Sequence, residues 1–124
     1  MIVAGVGFSS KCGPDELVDL VMWALAAVGQ TATALAAPAW RAEAACLKNA
    51  ALRLDLPILA IDRNELALAA DRIITHSFIS SIAAGAGSAA EAAALAAAGP
   101  GSRLAVARMS SAHATCAIAE GDPL

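Results

Sequence analysis

The chain has 124 residues and a mass of 12.3 kDa, which fits one domain built around a single hydrophobic core. Hydrophobic residues make up 59% of the chain, and 35 of them are alanines. The other 38 are larger apolar residues, which is an ordinary number for the core of a small globular domain and excludes intrinsic disorder. The net charge of −3 and the absence of a basic run exclude the usual electrostatics of nucleic-acid binding. We therefore expect one soluble globular domain spanning residues 1–124.

Three features of the sequence bear on the cellular location of the protein and on the role of its cysteines. The densest apolar runs, such as residues 20–28, are far shorter than the roughly 20 residues that span a bilayer. No basic segment precedes the first apolar run, which disfavours a secretory signal. The three cysteines, Cys12, Cys46 and Cys116, are odd in number and widely spaced, which disfavours a disulfide framework or a zinc site. We expect a cytoplasmic protein that uses neither a metal nor a cofactor.

The first elements are the clearest. A short aliphatic run at residues 2–6 ends in glycines and predicts a buried strand that leads into a turn. After a polar loop, Pro14 suits the first helical position, because the N–H that it lacks would be unpaired there. Apolar residues then recur at helical spacing as far as Val28, and Gly29 is a natural stop. A helix is predicted over residues 14–28.

The remaining elements alternate in type. Short aliphatic runs between turn residues predict strands at residues 31–37, 56–61, 104–107 and 115–119. Helical spacing or high alanine content predicts helices at residues 43–54, 64–70 and 88–98. The rest is predicted as a segment of ambiguous period at residues 71–84, a turn at residues 110–112 and a frayed tail at residues 120–124.

Strands that alternate with helices indicate a three-layer α/β/α sandwich, because crossover helices cover both faces of a parallel sheet. The two closing strands are close enough in sequence to form a hairpin. We therefore predict a mixed, mostly parallel sheet of about five strands, in one domain without a repeat or a linker.

The first candidate site is the glycine turn Gly5-Val6-Gly7. A dinucleotide-binding fingerprint would need a third glycine where Ser10 stands, close to the start of a helix. The turn alone can be explained as the end of a buried strand. Its position is nevertheless informative, because ligands of open α/β sheets bind beyond the carboxyl ends of the strands.

A second candidate opens the alanine-rich helix. Ser88 and Glu91 have the spacing of a capping box, in which each side chain bonds the other residue's backbone N–H. The same helix start, preceded by Gly87, could instead offer its N–H groups to a phosphate or a carboxylate. Both roles can coexist, and the sequence leaves the choice open.

Three cations follow a predicted strand or precede a helix: Lys11, Arg41 and Arg108. If the strands are parallel, all three could face one crevice and suit a polyanionic small molecule; scattered surface charges are the alternative. The histidines His76 and His113 have no partner at metal-ligand spacing. A nucleophilic Cys12, with a pKa lowered by the adjacent lysine, is a further hypothesis.

Several segments together resemble the CobE/CbiG C-terminal domain family of cobalamin biosynthesis, over roughly residues 3–120. The first glycine turn is similar to the family's Gly-x-Gly, and Arg41-Ala42-Glu43 is similar to its Lys-Ala-Asp-Glu segment. Residues 87–95 are similar to its Gly-Ser-Val-x-Glu-Ala-Ala-Ala-Leu motif, and residues 115–119 are similar to its Thr-Val-Ala-Ile-Ala strand. The chain departs from the family in residues 8–13, which form a longer and less basic loop, and at Ala44, where the family has an acid.

The resemblance implies a role in making the corrin ring, in which the long family members open a lactone of cobalt-precorrin-5A and short members belong to the aerobic route. It suggests a precorrin or hydrogenobyrinic-acid-like tetrapyrrole as the ligand, bound by an accessory or carrier protein. An enzyme that hydrolyses or rearranges a precorrin, and a module that docks onto other corrin-pathway enzymes, are the alternatives. The candidate ligand-binding residues are Gly5, Gly7, Lys11, Arg41, Gly87, Ser88, Glu91 and Arg108.

Overall fold

Five strands and four α-helices make up the described part of the computed structural model, which covers residues 1–69, 89–99 and 101–121. The strands are β1 (Ile2–Phe8), β2 (Ala34–Pro38), β3 (Ile58–Ile61), β4 (Arg103–Ser110) and β5 (Ala114–Glu120). The helices are α1 (Pro14–Val28), α2 (Ala45–Leu54), α3 (Arg63–Ala69) and α4 (Ala89–Ala98), with a 3₁₀ turn at Ala39–Arg41.

The strands form one sheet in the order β3-β2-β1-β5-β4. Strands β1, β2 and β3 pair in parallel, whereas β5 is antiparallel to both of its neighbours, β1 and β4. Four of the five strands therefore point in the same direction, and only β5 is reversed. This arrangement confirms the predicted mixed sheet and places the carboxyl ends of β1 to β4 at one edge.

Helices cover both faces of the sheet, as the alternation of strand side chains requires. In β1, Ile2, Ala4 and Val6 join Leu17 and Leu47 in a core beneath α1 and α2. Val3 points the other way, into a second core that includes residues of α3 and α4. The three-layer architecture predicted from the sequence is therefore confirmed in the described residues.

The ends of α1 follow the predicted chemistry. Pro14 occupies the first helical turn, and Gly29 closes the helix with a positive φ of 67° while its N–H donates to the carbonyls of Leu25 and Ala26. Glycine adopts this left-handed conformation at little cost, which is why it is frequent after helices. Helix α2 ends in the same conformation, but at Asp55, whose φ is 56°.

Several predicted boundaries differ from the structure. Helix α2 begins at Ala45 and not at residue 43, because the N–H groups of Ala42 and Ala44 first donate to the carbonyls of Ala39 and Arg41 in consecutive turns. Glu120 was predicted to belong to a frayed tail, but it lies in β5 and pairs with Ile2. The pairing gives its backbone the hydrogen bonds that a frayed end would lack.

Further differences are smaller. Strand β2 begins at residue 34 and not at residue 31, β4 extends to Ser110, and the hairpin turn accordingly lies at residues 111–113. The ambiguous segment 71–84, His76, Gly87 and Ser88 lie outside the described residues, as do residues 122–124 of the predicted tail. None of the helices in the described ranges is both long and apolar enough to cross a membrane.

Candidate functional site

A groove of about 730 Å³ lies beyond the carboxyl ends of the strands, and its volume is typical of small-molecule sites. Phe8 ends β1, Pro38 ends β2 and Ser110 ends β4, and all three contribute to its walls. This is the edge at which open α/β sheets bind ligands. Its described lining residues are Gly7, Phe8, Ser9, Pro38, Trp40, Arg41, Arg63, Ala89, Arg108, Ser110, Ser111, Ala112, His113, Ala114 and Thr115.

Arg41 lies in the groove because the 3₁₀ turn starts directly after β2. Its guanidinium donates a hydrogen bond to the backbone carbonyl of Phe8, and its Cζ atom lies 4.5 Å from the centroid of the Phe8 ring. Because the guanidinium is held by both a carbonyl and a ring, the side chain loses little conformational entropy when it binds an anion. Arg41 is therefore a preorganised cation at the junction of β1 and β2.

Arg108 lines the opposite side of the groove from strand β4. Its backbone N–H donates to the Glu91 carboxylate over 2.9 Å, and the Glu91 side chain is completely buried in the first turn of α4. The carboxylate thus joins α4 to β4 beside the groove. The Ser88 half of the predicted capping box lies outside the described residues.

The hairpin turn between β4 and β5 forms another wall, and Glu16 of α1 holds it in place. The Glu16 carboxylate accepts hydrogen bonds from the Ser111 hydroxyl and, over 2.7 Å, from the backbone N–H of His113. These two bonds lower the pKa of Glu16 below its ordinary value of 4.5. The His113 carbonyl in turn accepts the Ser9 N–H over 2.9 Å, which fixes the turn to the end of β1.

The sequence-predicted residues divide into two groups. Gly7, Arg41 and Arg108 line the groove together, and Ala89, at the start of α4, lies beside them. A β carbon on Gly7 would lie 2.8 Å from the Thr115 hydroxyl oxygen, so glycine leaves the room that this edge needs.

The other predicted residues lie elsewhere. Gly5 is buried under α4, Glu91 is buried behind the groove, and Lys11 is exposed on the β1–α1 loop and is not among the lining residues. Lys11 lies within a tight turn in which the Cys12 N–H donates to the Ser9 carbonyl. Gly87 and Ser88 lie outside the described residues.

Cys12 does not have the activated thiol that the neighbouring lysine suggested. Burial and the adjacent Cys46 thiol raise the pKa of Cys12 to about 12. Burial likewise raises the pKa of Cys116 to about 12. Both thiols are therefore protonated at neutral pH, which is the inert state of a structural cysteine.

Sequence reasoning missed the aromatic residues of the groove and one of its cations. Phe8 is the last residue of β1, and Trp40 lies in the 3₁₀ turn after β2. Arg63 begins α3 shortly after β3 ends, and its Cζ atom lies 4.7 Å from the centroid of the Trp40 ring. Their positions in the chain could have identified them, because each of these residues comes at or just after the end of a strand at the same edge of the sheet.

The charge of the groove contrasts with that of the chain. Its described lining residues include three arginines, Arg41, Arg63 and Arg108, and no carboxylate, although the chain carries a net charge of −3. Positive side chains gathered in a concave site attract anions more strongly than the same charges scattered over a surface. Phe8 and Trp40 add apolar contact area between the cations.

The fold and the groove together define an open-sheet α/β domain with a cationic, partly aromatic cleft at the carboxyl edge of the sheet. Comparison with known families matches residues 2–119 to the cobalamin synthesis G C-terminus family. The chain therefore belongs to this family and is a cobalamin-biosynthesis protein of the CobE/CbiG type. No curated protein matches it.

Two crystal structures support this assignment. One is CobE, a protein from the cobalamin (vitamin B12) biosynthetic pathway, with a TM-score of 0.85 and 28% identity over 96% of this chain and 89% of that chain. The other is the cobalamin biosynthesis protein chiG from Agrobacterium tumefaciens str. C58, with a TM-score of 0.79 and 34% identity. That alignment covers 99% of this chain and 100% of chiG.

Proposed function

We propose that this protein binds a precorrin or hydrogenobyrinic-acid-like intermediate in the groove, as an accessory or carrier protein of corrin ring synthesis. The observation that carries the proposal is the meeting of Arg41, Arg63 and Arg108 around one cleft whose described lining has no carboxylate. Corrin intermediates carry acetate and propionate groups around their rim, and these are ionised at neutral pH. Arginine is suited to carboxylates because its planar N–H donors match their geometry.

The cleft also suits the apolar part of such a ligand. Phe8 and Trp40 are the two aromatic residues of the described lining, and small residues such as Gly7 and Ala112 leave space between the cations. A conjugated macrocycle offers a flat apolar face and an acidic edge, so it could contact both kinds of residue at once. The family membership supplies the pathway in which such macrocycles occur.

Titration with hydrogenobyrinic acid tests the proposal, with the visible absorption bands of the probe as the signal. We expect saturable binding that weakens as ionic strength rises, because the arginine–carboxylate contacts at an open groove are screened by salt. Unchanged bands at high micromolar protein would overturn the proposal.

A matched pair of variants identifies the site. Arg108→Gln is expected to weaken binding by about tenfold, the effect of losing one charge-assisted contact. Arg103→Gln removes the same charge from the other end of β4, where Arg103 is exposed and pairs with Glu120. It should change binding by less than about twofold. Equal losses in the two variants would indicate a general charge effect and not a site.

Incubation with a lactone-containing precorrin, in place of hydrogenobyrinic acid, separates a carrier from an enzyme. A carrier returns the probe unchanged, whereas hydrolysis of a lactone-containing precorrin would add the mass of one water. His113 and the Ser110 and Ser111 hydroxyls line the groove and are the residues to substitute if turnover is seen. Mass spectrometry of the recovered ligand reports either outcome directly.

A further inference from the structure

Two aromatic rings in the groove are each paired with a guanidinium. Arg41 lies 4.5 Å from the centroid of Phe8, and Arg63 lies 4.7 Å from that of Trp40. The two pairs come from successive parallel strands, since Phe8 ends β1, Trp40 follows β2 and Arg63 follows β3. The sheet therefore brings two arginine–aromatic pairs to one cleft.

The two rings are unequally covered. Phe8 is partly buried against the core beneath α1 and α2, and the Arg41 guanidinium is tied to its carbonyl. Trp40 is 52% exposed and belongs to no described core cluster, so its indole contributes little to the stability of the fold. A large aromatic ring that is half exposed inside a ligand groove, with a guanidinium at stacking distance, has the composition of a stacking platform.

We propose that Trp40 and Arg63 form a stacking subsite, in which the indole contacts the flat face of a conjugated macrocycle and Arg63 binds a carboxylate at its edge. This inference rests on the function proposed above and adds the residues that orient the ligand. An arginine can contact a ring through its face while its in-plane N–H groups donate to an anion. The pair therefore recognises a flat face and an acidic rim together, and the subsite selects flat, acid-substituted rings over flexible polyanions.

Binding measurements test the role of the indole. Trp40→Ala is expected to weaken binding of hydrogenobyrinic acid about tenfold, the scale of losing one aromatic stacking contact. Trp40→Phe keeps a ring and should recover part of that loss. Trp23 offers a matched control, because it is 61% exposed on α1 and does not line the groove. Trp23→Ala should leave binding unchanged.

A second measurement, made on the wild-type protein, does not depend on whether a Trp40 variant folds. The chain has two tryptophans, so its ¹H–¹⁵N spectrum has two indole N–H signals, which the Trp23→Phe variant assigns. Stacking against a macrocycle should shift the Trp40 signal strongly through the ring current and leave the Trp23 signal nearly in place. A purely structural role for Trp40 would not move its signal in this way.

Arg63 is tested separately. Arg63→Lys keeps the positive charge but lacks the planar set of N–H donors, so we expect a several-fold loss of affinity for hydrogenobyrinic acid. The control ligand is tricarballylate, a flexible tricarboxylate without a ring, for which we expect a smaller loss. If the wild-type protein binds hydrogenobyrinic acid while Trp40→Ala binds it equally well, or the Trp40 signal stays in place, the subsite is wrong and the proposed function stands. If the wild-type protein does not bind hydrogenobyrinic acid at all, both proposals fall.

Discussion

Gly5 lies directly beneath Ala90: a β carbon on Gly5 would be 2.0 Å from the Ala90 carbonyl oxygen and 2.6 Å from the Ala94 backbone nitrogen. Helix α4 can approach β1 this closely because nearly all of its residues are alanines, and it is buried from Ala90 to Leu95. Gly5 lies within strand β1 and not in the turn predicted from the sequence, and it sets how closely α4, whose first residue lines the groove, can approach the sheet. Gly5 supports the site through packing and does not line it.

Gly5→Ala should therefore destabilise the protein by about 3 kcal/mol or more, at the upper end of the usual cost of overpacking, because the obstructing atoms are helix backbone. The unfolding free energy from a urea titration measures the loss. Gly101→Ala is the matched control, since nothing lies within 4 Å of a β carbon there, and it should change stability by less than about 1 kcal/mol. Equal stability of the two variants would mean that α4 can move away from the sheet freely.

The sequence predicted the parts of this molecule that depend on local pattern. Pro14 and Gly29 delimit α1 correctly because the missing N–H of proline and the positive φ of glycine are properties of single residues. The strand-end rule offered one crevice for Arg41 and Arg108 as an alternative to scattered surface charges, and the two residues line one groove. Lys11 satisfied the same rule but is not among the lining residues, because it lies exposed within a tight turn of the β1–α1 loop.

The contacts that shape the groove could not be predicted in this way, because they join distant parts of the chain. The bond from the His113 N–H to Glu16 spans 97 residues, and the bond from Arg108 to Glu91 joins a strand to a helix. Glu16 was explained by its favourable position at the start of α1, which is a true but incomplete account. The sequence around Trp40 has neither helical nor strand periodicity, because this residue lies in a single 3₁₀ turn.

The Glu16 carboxylate predicts a specific pH dependence. Its pKa is lower in the folded protein than its ordinary value of 4.5, so its stabilising effect is complete above 4.5 and is lost as the pH falls through the folded pKa. Wild type should be more stable than Glu16→Gln at pH 7, and the difference should shrink as the pH falls below 4.5. Urea titrations of both proteins from pH 7 to about 3 measure it.

Asp19→Asn provides the charge control for this experiment, because Asp19 is an exposed carboxylate on the same helix. The amide signals of Ser111 and His113 give a local readout, since they should shift in Glu16→Gln and stay in place in Asp19→Asn. A stability difference between wild type and Glu16→Gln that persists undiminished at pH 3 would contradict the assignment to this carboxylate.

The three thiols should differ sharply in reactivity. With the pKa of Cys12 raised to about 12, only about one thiol in ten thousand is ionised at pH 8, and Cys116 is in the same state. Cys46 is partly exposed in the first turn of α2 and should account for nearly all iodoacetamide labelling of the native protein. Peptide mass spectrometry measures this, and labelling in urea, where all three cysteines react, provides the reference.

Labelling of Cys12 at the rate of Cys46 would contradict this prediction. It would restore the hypothesis of a reactive thiol at the end of the glycine-flanked loop. A slow Cys12 instead assigns this residue to the core beneath α1 and α2, where it packs among apolar side chains.

Glu91 should contribute more to stability than an ordinary carboxylate, because it is completely buried and accepts the Arg108 N–H over 2.9 Å. In Glu91→Gln the amide oxygen can still accept that bond, but the bond is no longer charge-assisted and the new NH₂ group must find an acceptor inside the protein. We expect a loss of about 1–3 kcal/mol in the unfolding free energy. Glu120→Gln removes an exposed partner of Arg103 and should cost less than about 1 kcal/mol.

The two glutamates also differ in what they should do to the groove. Because the Glu91 carboxylate holds the backbone of Arg108, Glu91→Gln should shift the amide signal of Arg108 and weaken binding of hydrogenobyrinic acid, whereas Glu120→Gln should do neither. If Glu91→Gln folds with unchanged stability and an unmoved Arg108 signal, the bond between α4 and β4 does not position this arginine. A loss in both measurements instead makes Glu91 a positioning residue that acts on the ligand only through Arg108.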